Sequence, residues 1–421
     1  MATTGERAES DFDGPTRAPR DVLARARSHE RVAILRAARR ADALPYFREL
    51  EGEAGPVIAM EGVERVMLGS NNYLGLTRHP SVKAAAFAAL ERYGTGLTGS
   101  RLLNGTTALH TELERALAEW LGAEDALVFT TGYQANVGLL GALLEPPDTI
   151  VCDSSVHASI LDGAALAGAR VRPFRHGRLD RFGGALERAA RAGGGVLVAV
   201  EGVYSMEGDV PDLARLLELC RGAGARLLVD EAHAVGVLGP SGGGACEASG
   251  VGADVDLRTG TFSKALASCG GFVAGPSDAI DYLRTGARAF LFTAAGAPAA
   301  VGAALAAVCV ARSREGVELR ARLIDNARYL RAGLADLGLT SRPAPSETIT
   351  PVLPVHVGDD WHTALMWKAL YDAGVYVNAA MHPAVGRGRA MLRVSLMASH
   401  ERAHLDRALT AFERASRACA P

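Results

Sequence analysis

A lysine and an aspartate, 34 positions apart, have the clearest chemical potential in this chain. Lys264 ends the segment TFSK, and Asp230 begins the segment DEAH. A lysine amine condenses with an aldehyde cofactor to form a Schiff base. An aspartate at the end of a buried strand can hold a pyridinium nitrogen protonated, which makes the ring of pyridoxal 5′-phosphate (PLP) an electron sink. The pair predicts a PLP site, and the alternative for Lys264 alone is a solvated surface charge.

Two histidines follow predicted strands and could contact the same cofactor. His157, in the segment SVHAS, is placed to stack on a planar ring. His233, three residues after Asp230, is within reach of a ring hydroxyl. Either histidine alone is as well explained as a structural residue. Together with Asp230 and Lys264 at successive strand ends, they predict one active site.

Two further segments carry features of a phosphate site. The segment TTGYQAN, residues 130–136, follows a predicted strand and opens a helix, where backbone N–H groups attract anions. Gly132 allows close approach of a ligand, and Tyr133 could cover a ring. Thr261 and Ser263 place hydroxyls beside Lys264. The alternative for both segments is an ordinary turn.

An arginine within an apolar segment near the carboxyl terminus suggests a substrate site. Arg393 lies in the predicted strand MLRVSL and must find an anion. A guanidinium is well suited to clamp a substrate carboxylate, although a structural ion pair is the alternative. Ser205 is expected to hydrogen-bond the cofactor edge. Glu207 and Asp209 are expected to cap a helix that begins near Pro211.

The elements that position these residues alternate between apolar strands and helices from about residue 70 to 290. Near-continuous apolar runs such as 126–129, 149–152, 196–200 and 226–230 are typical of parallel strands that are covered on both faces. We therefore predict an α/β fold with a mostly parallel central sheet. Ligands of such sheets bind at the carboxyl ends of the strands, where Asp153, Glu201 and Asp230 lie.

The length of 421 residues predicts more than one domain. We predict a disordered tail at 1–20, an N-terminal arm at 21–69, a PLP-binding large domain at 70–297, and a linking helix with a small α+β C-terminal domain at 298–421. For the arm, a solvated helix packed on the body is preferred to a membrane-surface helix.

Composition excludes several classes of function. The net charge of −2 argues against a nucleic-acid surface, and the six scattered cysteines predict no metal site. No apolar signal segment begins the chain. Residues 289–311 lack charge, but Pro298 favours a buried helix over a membrane span. We expect a soluble, cytoplasmic protein without stable membrane insertion.

Five motifs in order resemble one enzyme family over residues 45–415. They are NNYLGL at 71–76, GSRLLNGT at 99–106, HAS at 157–159, DEAH at 230–233 and TFSK at 261–264. This set resembles the α-oxoamine synthases, which are fold-type I PLP-dependent transferases. Within the family, the segments TGYQAN, EGVYSM and VYVN are most similar to bacterial serine palmitoyltransferases.

The resemblance implies roles for individual residues. It implies that Lys264 holds PLP and moves a substrate proton, that Asp230 pairs with the pyridine nitrogen, and that Arg393 takes a substrate carboxylate. It further implies a homodimer with shared active sites, since Thr293 would reach the phosphate bound by the partner subunit. The other implied contacts are a ring stack for His157, the ring oxygen for His233, the phosphate for Gly132, Tyr133 and Thr261, and substrate for Asn72.

The resemblance also implies a reaction: decarboxylative condensation of serine, alanine or glycine with an acyl thioester, either acyl-CoA or acyl carrier protein, to give an α-aminoketone. A synthase similar to 8-amino-7-oxononanoate synthase, or one of a specialised pathway, is the first alternative. A PLP aminotransferase and a catalytically silent partner subunit are the others. The chain departs from the family at TAAGAP, residues 293–298, and at Met381, where serine palmitoyltransferases carry a second arginine.

Overall fold

The structure, a computed structural model, describes residues 21–339 and 348–419. The tail that we predict to be disordered, residues 1–20, lies outside the described residues. The chain divides into two compact units, Met1–Phe47 and Arg48–Pro421. The domain boundaries given above stay a prediction.

The first unit contributes two short helices, α1 and α2, among its described residues. They span Ala24–Ser28 and Glu30–Arg40. His29 is the N-cap of α2, and its ring accepts a hydrogen bond from the Arg31 amide at 3.2 Å. This cap satisfies one of the amide donors that a helix start leaves without a partner.

The second unit contains all described strands. In chain order they are β1 Val57–Met60, β2 Val63–Met67, β3 Asp125–Phe129, β4 Thr149–Asp153, β5 Arg170–Phe174, β6 Val196–Glu201, β7 Arg226–Asp230, β8 Leu257–Thr261, β9 Gly271–Gly275, β10 Val352–Gly358, β11 Val375–Tyr376, β12 Asn378–Ala380 and β13 Ala390–Ser395.

The second unit also contains the remaining described helices. They are α3 Pro80–Tyr93, α4 Ala108–Leu121, α5 Gly132–Leu143, α6 Ala158–Ala167, α7 Leu179–Arg191, α8 Leu213–Gly222, α9 Ala245–Ala248, α10 Ser277–Gly286, α11 Arg288–Leu291, α12 Pro298–Arg312, α13 Arg314–Asp336, α14 Asp360–Asp372 and α15 Arg402–Ala418, with a short 3₁₀ turn at Leu76–Arg78.

The central sheet has seven strands in the order β3-β9-β8-β7-β6-β4-β5. Only β9 runs against the others, because it pairs antiparallel with both β3 and β8. The carboxyl ends of β4, β6, β7 and β8 therefore lie along one edge of the sheet. Glu201 is the register partner of Asp230, and Asp230 that of Thr259, so polar side chains collect at this edge.

Helices cover both faces of this sheet. Successive side chains of a strand point to opposite faces, and Leu227 and Val229 belong to one apolar cluster while Leu228 belongs to the other. This two-sided burial explains the near-continuous apolar runs in the sequence. The predicted α/β fold with a mostly parallel sheet is confirmed.

Two smaller sheets complete the second unit. Strands β10, β13 and β12 form an antiparallel sheet, with β13 and its Arg393 in the middle. Strands β1 and β2 form a hairpin whose second strand pairs in parallel with β11. The small C-terminal α+β domain is thus present. The charge-free segment 289–311 forms most of α11 and α12. None of the helices in the described ranges is long and apolar enough to cross a membrane.

Candidate active site

A cavity of about 240 Å³ opens at the carboxyl edge of the central sheet. Nine residues predicted from the sequence line it, and all of them come from strand ends or from the loops and helix starts that follow. These residues are Gly132, Tyr133, His157, Ser205, Asp230, His233, Thr261, Ser263 and Lys264. Parallel strands explain the convergence, because each strand delivers its next loop to the same edge.

Asp230 is held rigidly at the end of β7. Its Oδ2 accepts a hydrogen bond from Asn136 Nδ2 at 2.8 Å, and its Oδ1 accepts one from the Ala232 amide at 2.9 Å. Asp230 is 5% exposed. A buried acid with both oxygens engaged has one orientation, which suits a counter-ion for a ring nitrogen.

Lys264 lines the same cavity and is a reactive amine. Burial lowers the pKa of Lys264 to about 8, although the negative charges of Asp230 and Glu201 oppose that change. A neutral amine is the nucleophile and the base, so this shift increases the fraction of the reactive form near neutral pH. The lysine differs in this way from an ordinary solvated one.

Glu201, the last residue of β6, is a further buried acid in the cavity. Burial and the nearby charge of Asp230 raise the pKa of Glu201 to about 8. Its Oε2 accepts from the Ser205 amide at 3.2 Å, whereas Oε1 has no hydrogen-bond partner among the described residues. Two adjacent buried carboxylates rarely ionise together, so Glu201 gains its negative charge only as the pH approaches about 8.

His157 is the N-cap of α6, and its ring faces the cavity. Its Nδ1 lies 2.8 Å from Ser159 Oγ, which in turn accepts a hydrogen bond from Asn136 Nδ2 at 2.9 Å. Burial lowers the pKa of His157, so the ring is neutral at pH 7. The ring of Tyr133 meets His157 edge-on with centroids 6.4 Å apart. A neutral, fixed imidazole at this place can stack on a planar ligand.

His233 is a buried residue of the cavity lining and forms a hydrogen bond with Tyr73. Its Nδ1 lies 2.6 Å from the Tyr73 hydroxyl. Burial, with the charges of Lys264 and Arg393, keeps the pKa of His233 well below its ordinary value. The imidazole is therefore neutral.

The opposite end of the cavity has the features of a phosphate site. Gly132 and Tyr133 form the first turn of α5, where backbone N–H groups lack intrahelical partners. Thr131 caps the helix by accepting from the Gln134 amide at 3.1 Å. Thr261 and Ser263 hold their hydroxyls 2.8 Å apart beside this turn. Amides, hydroxyls and a helix start together bind an anion.

Arg393 does not line the cavity itself but is buried next to it. It is 5% exposed, and its guanidinium donates to Asn71 Oδ1 at 3.0 Å, to Ser395 Oγ at 2.7 Å and to the Ser205 carbonyl. These contacts are all with neutral groups. A buried guanidinium with neutral partners attracts an anionic ligand.

The structure does not bring two other predicted residues into the cavity. Asn72 donates to Thr77 Oγ1 at 2.7 Å and so stabilises its own loop, while the adjacent Asn71 reaches Arg393. Thr293 accepts from Gln134 Nε2 at 3.2 Å on the far side of the α5 start. The partner-subunit contact of Thr293 stays a prediction.

One prediction about the segment after β6 is wrong. Asp212 caps α8 by accepting from the Arg215 amide at 3.0 Å, so Glu207 and Asp209 do not cap it. Asp209 Oδ2 instead lies 3.1 Å from His176 Nε2, and Glu207 lies near Arg389. A helix cap depends on the one residue that directly precedes the first turn, and the helix begins two residues later than expected.

Sequence reasoning missed several contributors to the site. Asn136 and Ser159 line the cavity, and Tyr73 and Asn71 contact its edge. Asn136 belongs to the segment TTGYQAN. It lies four residues after Gly132, and this spacing places both residues on the same face of a helix, so the sequence could have predicted Asn136 in the cavity. The Tyr73 contact had no sequence signal, since it joins residues 160 positions apart.

Comparison with known proteins agrees with this geometry. The aminotransferase class I and II family matches residues 63–412. Serine palmitoyltransferase of Bacteriovorax stolpii is 40% identical over 372 residues, 88% of this chain and 87% of the relative. The 8-amino-7-oxononanoate synthase of Geobacter sulfurreducens is 41% identical over 371 residues, 87% of this chain and 93% of the relative.

Solved structures agree as well. A serine palmitoyltransferase from S. paucimobilis, solved with a bound PLP–myriocin aldimine, superposes with a TM-score of 0.90 and 35% identity over 95% of this chain and 99% of that one. Sphingomonas wittichii serine palmitoyltransferase gives a TM-score of 0.88 at 37% identity with the same coverage. The chain belongs to the aminotransferase class I and II family, and within it to the PLP-dependent α-oxoamine synthases.

The residues of the cavity fit PLP. A Cβ on Gly132 would lie 2.9 Å from Thr261 Cβ, so only glycine lets the start of α5 pack this closely against Thr261. Asn136 Oδ1 and Glu201 Oε1 are buried without partners among the described residues, as expected where a polar ligand completes the site. Lys264 would hold the aldehyde carbon, Asp230 the ring nitrogen, and the α5 start the phosphate.

Proposed function

We propose that this protein condenses a small amino acid with an acyl thioester and releases CO₂, giving an α-aminoketone. The observation that carries the proposal is the shared cavity of Lys264 and Asp230 at the carboxyl edge of the parallel sheet. When bound, PLP withdraws electrons from the substrate Cα and makes its proton removable. The relatives named serine palmitoyltransferase and 8-amino-7-oxononanoate synthase support this reaction type.

The residues of the chain divide the work between binding and proton transfer. Lys264, with a pKa of about 8, is the base that takes the Cα proton and later returns a proton to carbon. In the overall reaction a C–C bond forms to the acyl carbonyl, the C–S bond breaks with release of the thiol, and the carboxyl group leaves as CO₂. Arg393 orients that carboxyl group before it leaves.

We assign serine, alanine and glycine as the candidate amino acids, in that order. The donor is acyl-CoA or an acyl carrier protein. Met381 stands where serine palmitoyltransferases carry a second arginine, so we assign the substrate carboxylate to Arg393, which is buried beside the cavity. A cytoplasmic location and the absence of nucleic-acid partners stay predictions from the sequence.

The cofactor assignment is tested by borohydride reduction and peptide mapping. We expect a pyridoxyl group fixed on Lys264 in the protein incubated with PLP, and none in Lys264→Ala. Failure to label the peptide that contains Lys264 contradicts the catalytic proposal and favours a silent partner subunit.

The reaction is tested by incubating the PLP-loaded protein with serine, alanine or glycine and either acyl-CoA or acyl carrier protein. We expect CO₂ and free thiol in equal amounts, and a higher KM for the amino acid in Arg393→Lys. Conversion of PLP to pyridoxamine phosphate by amino acid alone, with turnover to a keto acid, would instead indicate an aminotransferase.

We also propose a homodimer in which Thr293 contacts the phosphate held by the partner subunit. Mixing the inactive Lys264→Ala and Thr293→Asp variants after dissociation and reassociation tests it. In a mixed dimer, one of the two sites would then combine an intact Lys264 with an intact Thr293, whereas the other site would carry both substitutions. Activity that does not recover, in a mixture shown by light scattering to be dimeric, contradicts a shared site.

A further inference from the structure

Tyr73 contacts both His233 and Arg393, two residues of the site for which the resemblance implies unrelated roles. Its hydroxyl lies 2.6 Å from His233 Nδ1 and 3.5 Å from Arg393 Nη2. The side chain is fully buried, and its backbone is fixed by the Ala398 amide, which donates to the Tyr73 carbonyl at 2.7 Å. The hydroxyl therefore has a defined position between the two residues.

The donors and acceptors around the Tyr73 hydroxyl favour it as the donor in its hydrogen bond with His233. The Tyr73 hydroxyl has one proton and two acceptors in reach: His233 Nδ1, and Asn71 Oδ1 at 3.2 Å. Asn71 Oδ1 already accepts from Arg393 Nη1. The Tyr73 hydroxyl itself accepts a hydrogen bond from Arg393 Nη2 at 3.5 Å, so its own proton is directed to His233 Nδ1, the nearer of the two acceptors. The cation of Arg393 nearby also makes the phenol a better donor.

We propose that Tyr73 is a positioning residue: by donating to Nδ1, it fixes the proton of His233 on Nε2, so that His233 meets its ligand as a hydrogen-bond donor. A neutral imidazole has one donor and one acceptor nitrogen, and the partner of one nitrogen decides the role of the other. Burial keeps the pKa of His233 low and that of Tyr73 high, so neither group ionises at neutral pH.

For the proposed function, the tautomer decides which kind of ligand atom His233 can bind: a hydrogen-bond acceptor or a donor. His233 lines the cavity, and with Nδ1 engaged, Nε2 is the nitrogen left for a ligand. A donor there stabilises an anionic oxygen such as the ring oxygenate of PLP, whereas the other tautomer would present a lone pair and repel it. This inference rests on the proposed PLP site, but the tautomer itself is a property of the protein.

The tautomer is measurable by two-bond ¹H–¹⁵N correlation of the full-length protein labelled at histidine, with and without PLP. His233→Asn identifies the signals of His233. We expect the pattern of an Nε2–H tautomer in the wild type, and a change towards the Nδ1–H tautomer in Tyr73→Phe. An Nδ1–H pattern in the wild type, or identical patterns in the wild type and Tyr73→Phe, overturns the proposal.

A matched control separates this effect from loss of any buried phenol. Tyr371 is 3% exposed, and its hydroxyl donates to Glu61 Oε2 at 2.9 Å, so Tyr371→Phe also loses a hydrogen bond. We expect Tyr73→Phe to weaken PLP binding about tenfold, and Tyr371→Phe to leave both PLP binding and the His233 signals unchanged. Equal losses in the two variants would mean a merely structural role.

The tautomer measurement and the test of the proposed function can fail independently of each other. If Tyr73→Phe does not fold, the wild-type tautomer still decides the inference. If PLP is not fixed on Lys264 by borohydride, the proposed function fails, while the pattern of the protein without PLP continues to report whether Tyr73 donates to His233.

Discussion

The side-chain amide of Asn136 donates a hydrogen bond to Asp230 Oδ2 over 2.8 Å. It joins helix α5 to the end of strand β7, and thereby connects the predicted phosphate end of the cavity to the predicted counter-ion of the ring. The second contact of Asn136, with Ser159, continues the connection to His157. Asp230 and His157, the predicted counter-ion and the predicted stacking partner of the ring, are thus held by one hydrogen-bond network through Asn136 and Ser159.

Replacing Asn136 tests whether this network matters for cofactor binding. A hydrogen bond to a charged group is worth about 1.5–3 kcal/mol, so we expect Asn136→Ala to weaken PLP binding by about tenfold or more. Asn136→Asp should weaken it further, because a second acid beside Asp230 raises the pKa of one of them. Absorbance titration with PLP measures both. Wild-type affinity in Asn136→Ala would show that Asp230 needs no support.

The close approach at Gly132 predicts a phosphate-specific defect. A Cβ there would lie 2.9 Å from Thr261 Cβ, whereas one on Gly141, in the same helix, meets only the flexible end of the exposed Leu166 at 3.0 Å. We expect Gly132→Ala to weaken PLP binding about tenfold and pyridoxal binding much less. Gly141→Ala is the control and should bind both normally. Equal losses for PLP and pyridoxal would argue against a phosphate contact.

The buried amine of Lys264 predicts a pH dependence for cofactor capture. Only the neutral amine attacks an aldehyde, so the capture rate should rise with pH through about 8, the lowered pKa of Lys264. The charge of Glu201 raises that pKa, so Glu201→Gln should move the midpoint to lower pH. Glu207→Gln is the control, because Glu207 lies in the loop that follows β6 and does not line the cavity. A midpoint near the ordinary lysine value of 10.5 contradicts the prediction.

His176 predicts a loss of stability in alkali. Burial alone would lower the pKa of His176, but hydrogen bonds to Asp153 and Asp209, each at 3.1 Å, outweigh burial and raise it to about 10. The ring also packs edge-on against Tyr204 with centroids 4.4 Å apart. The folded state therefore holds a proton that the unfolded state releases near pH 6.5.

The contribution of His176 is complete below pH 6.5, declines as the pH rises, and is lost above about 10. We expect this decline to amount to about 5 kcal/mol of the free energy of unfolding, since one pKa unit corresponds to about 1.36 kcal/mol. Urea unfolding at pH 6, 8 and 10 should show it in the wild type. In His176→Gln the protein should be less stable at pH 6 but lose less on going to pH 10. Parallel pH curves for the two proteins would contradict the assignment.

The sequence by itself determined the class of fold and the main chemical groups. Apolar runs that end in Asp153, Glu201 and Asp230 require strands covered on both faces, because a strand with one solvated face would alternate. Parallel strands bring their carboxyl ends to one edge, so the neighbourhood of Asp230 and Lys264 followed from local patterns alone. The cap of α8 was predicted wrongly from the sequence, since a cap depends on a single residue at the exact start of the helix.

Only the tertiary structure decided how the groups of the site act on one another. The hydrogen bonds from Asn136 to Asp230 and from Tyr73 to His233 join segments 94 and 160 residues apart, and no local pattern encodes them. The same holds for the pKa of Lys264, which depends on burial and on charges from two other strands. Residue type and spacing fix which groups are present, whereas burial and long-range contacts fix their protonation and orientation.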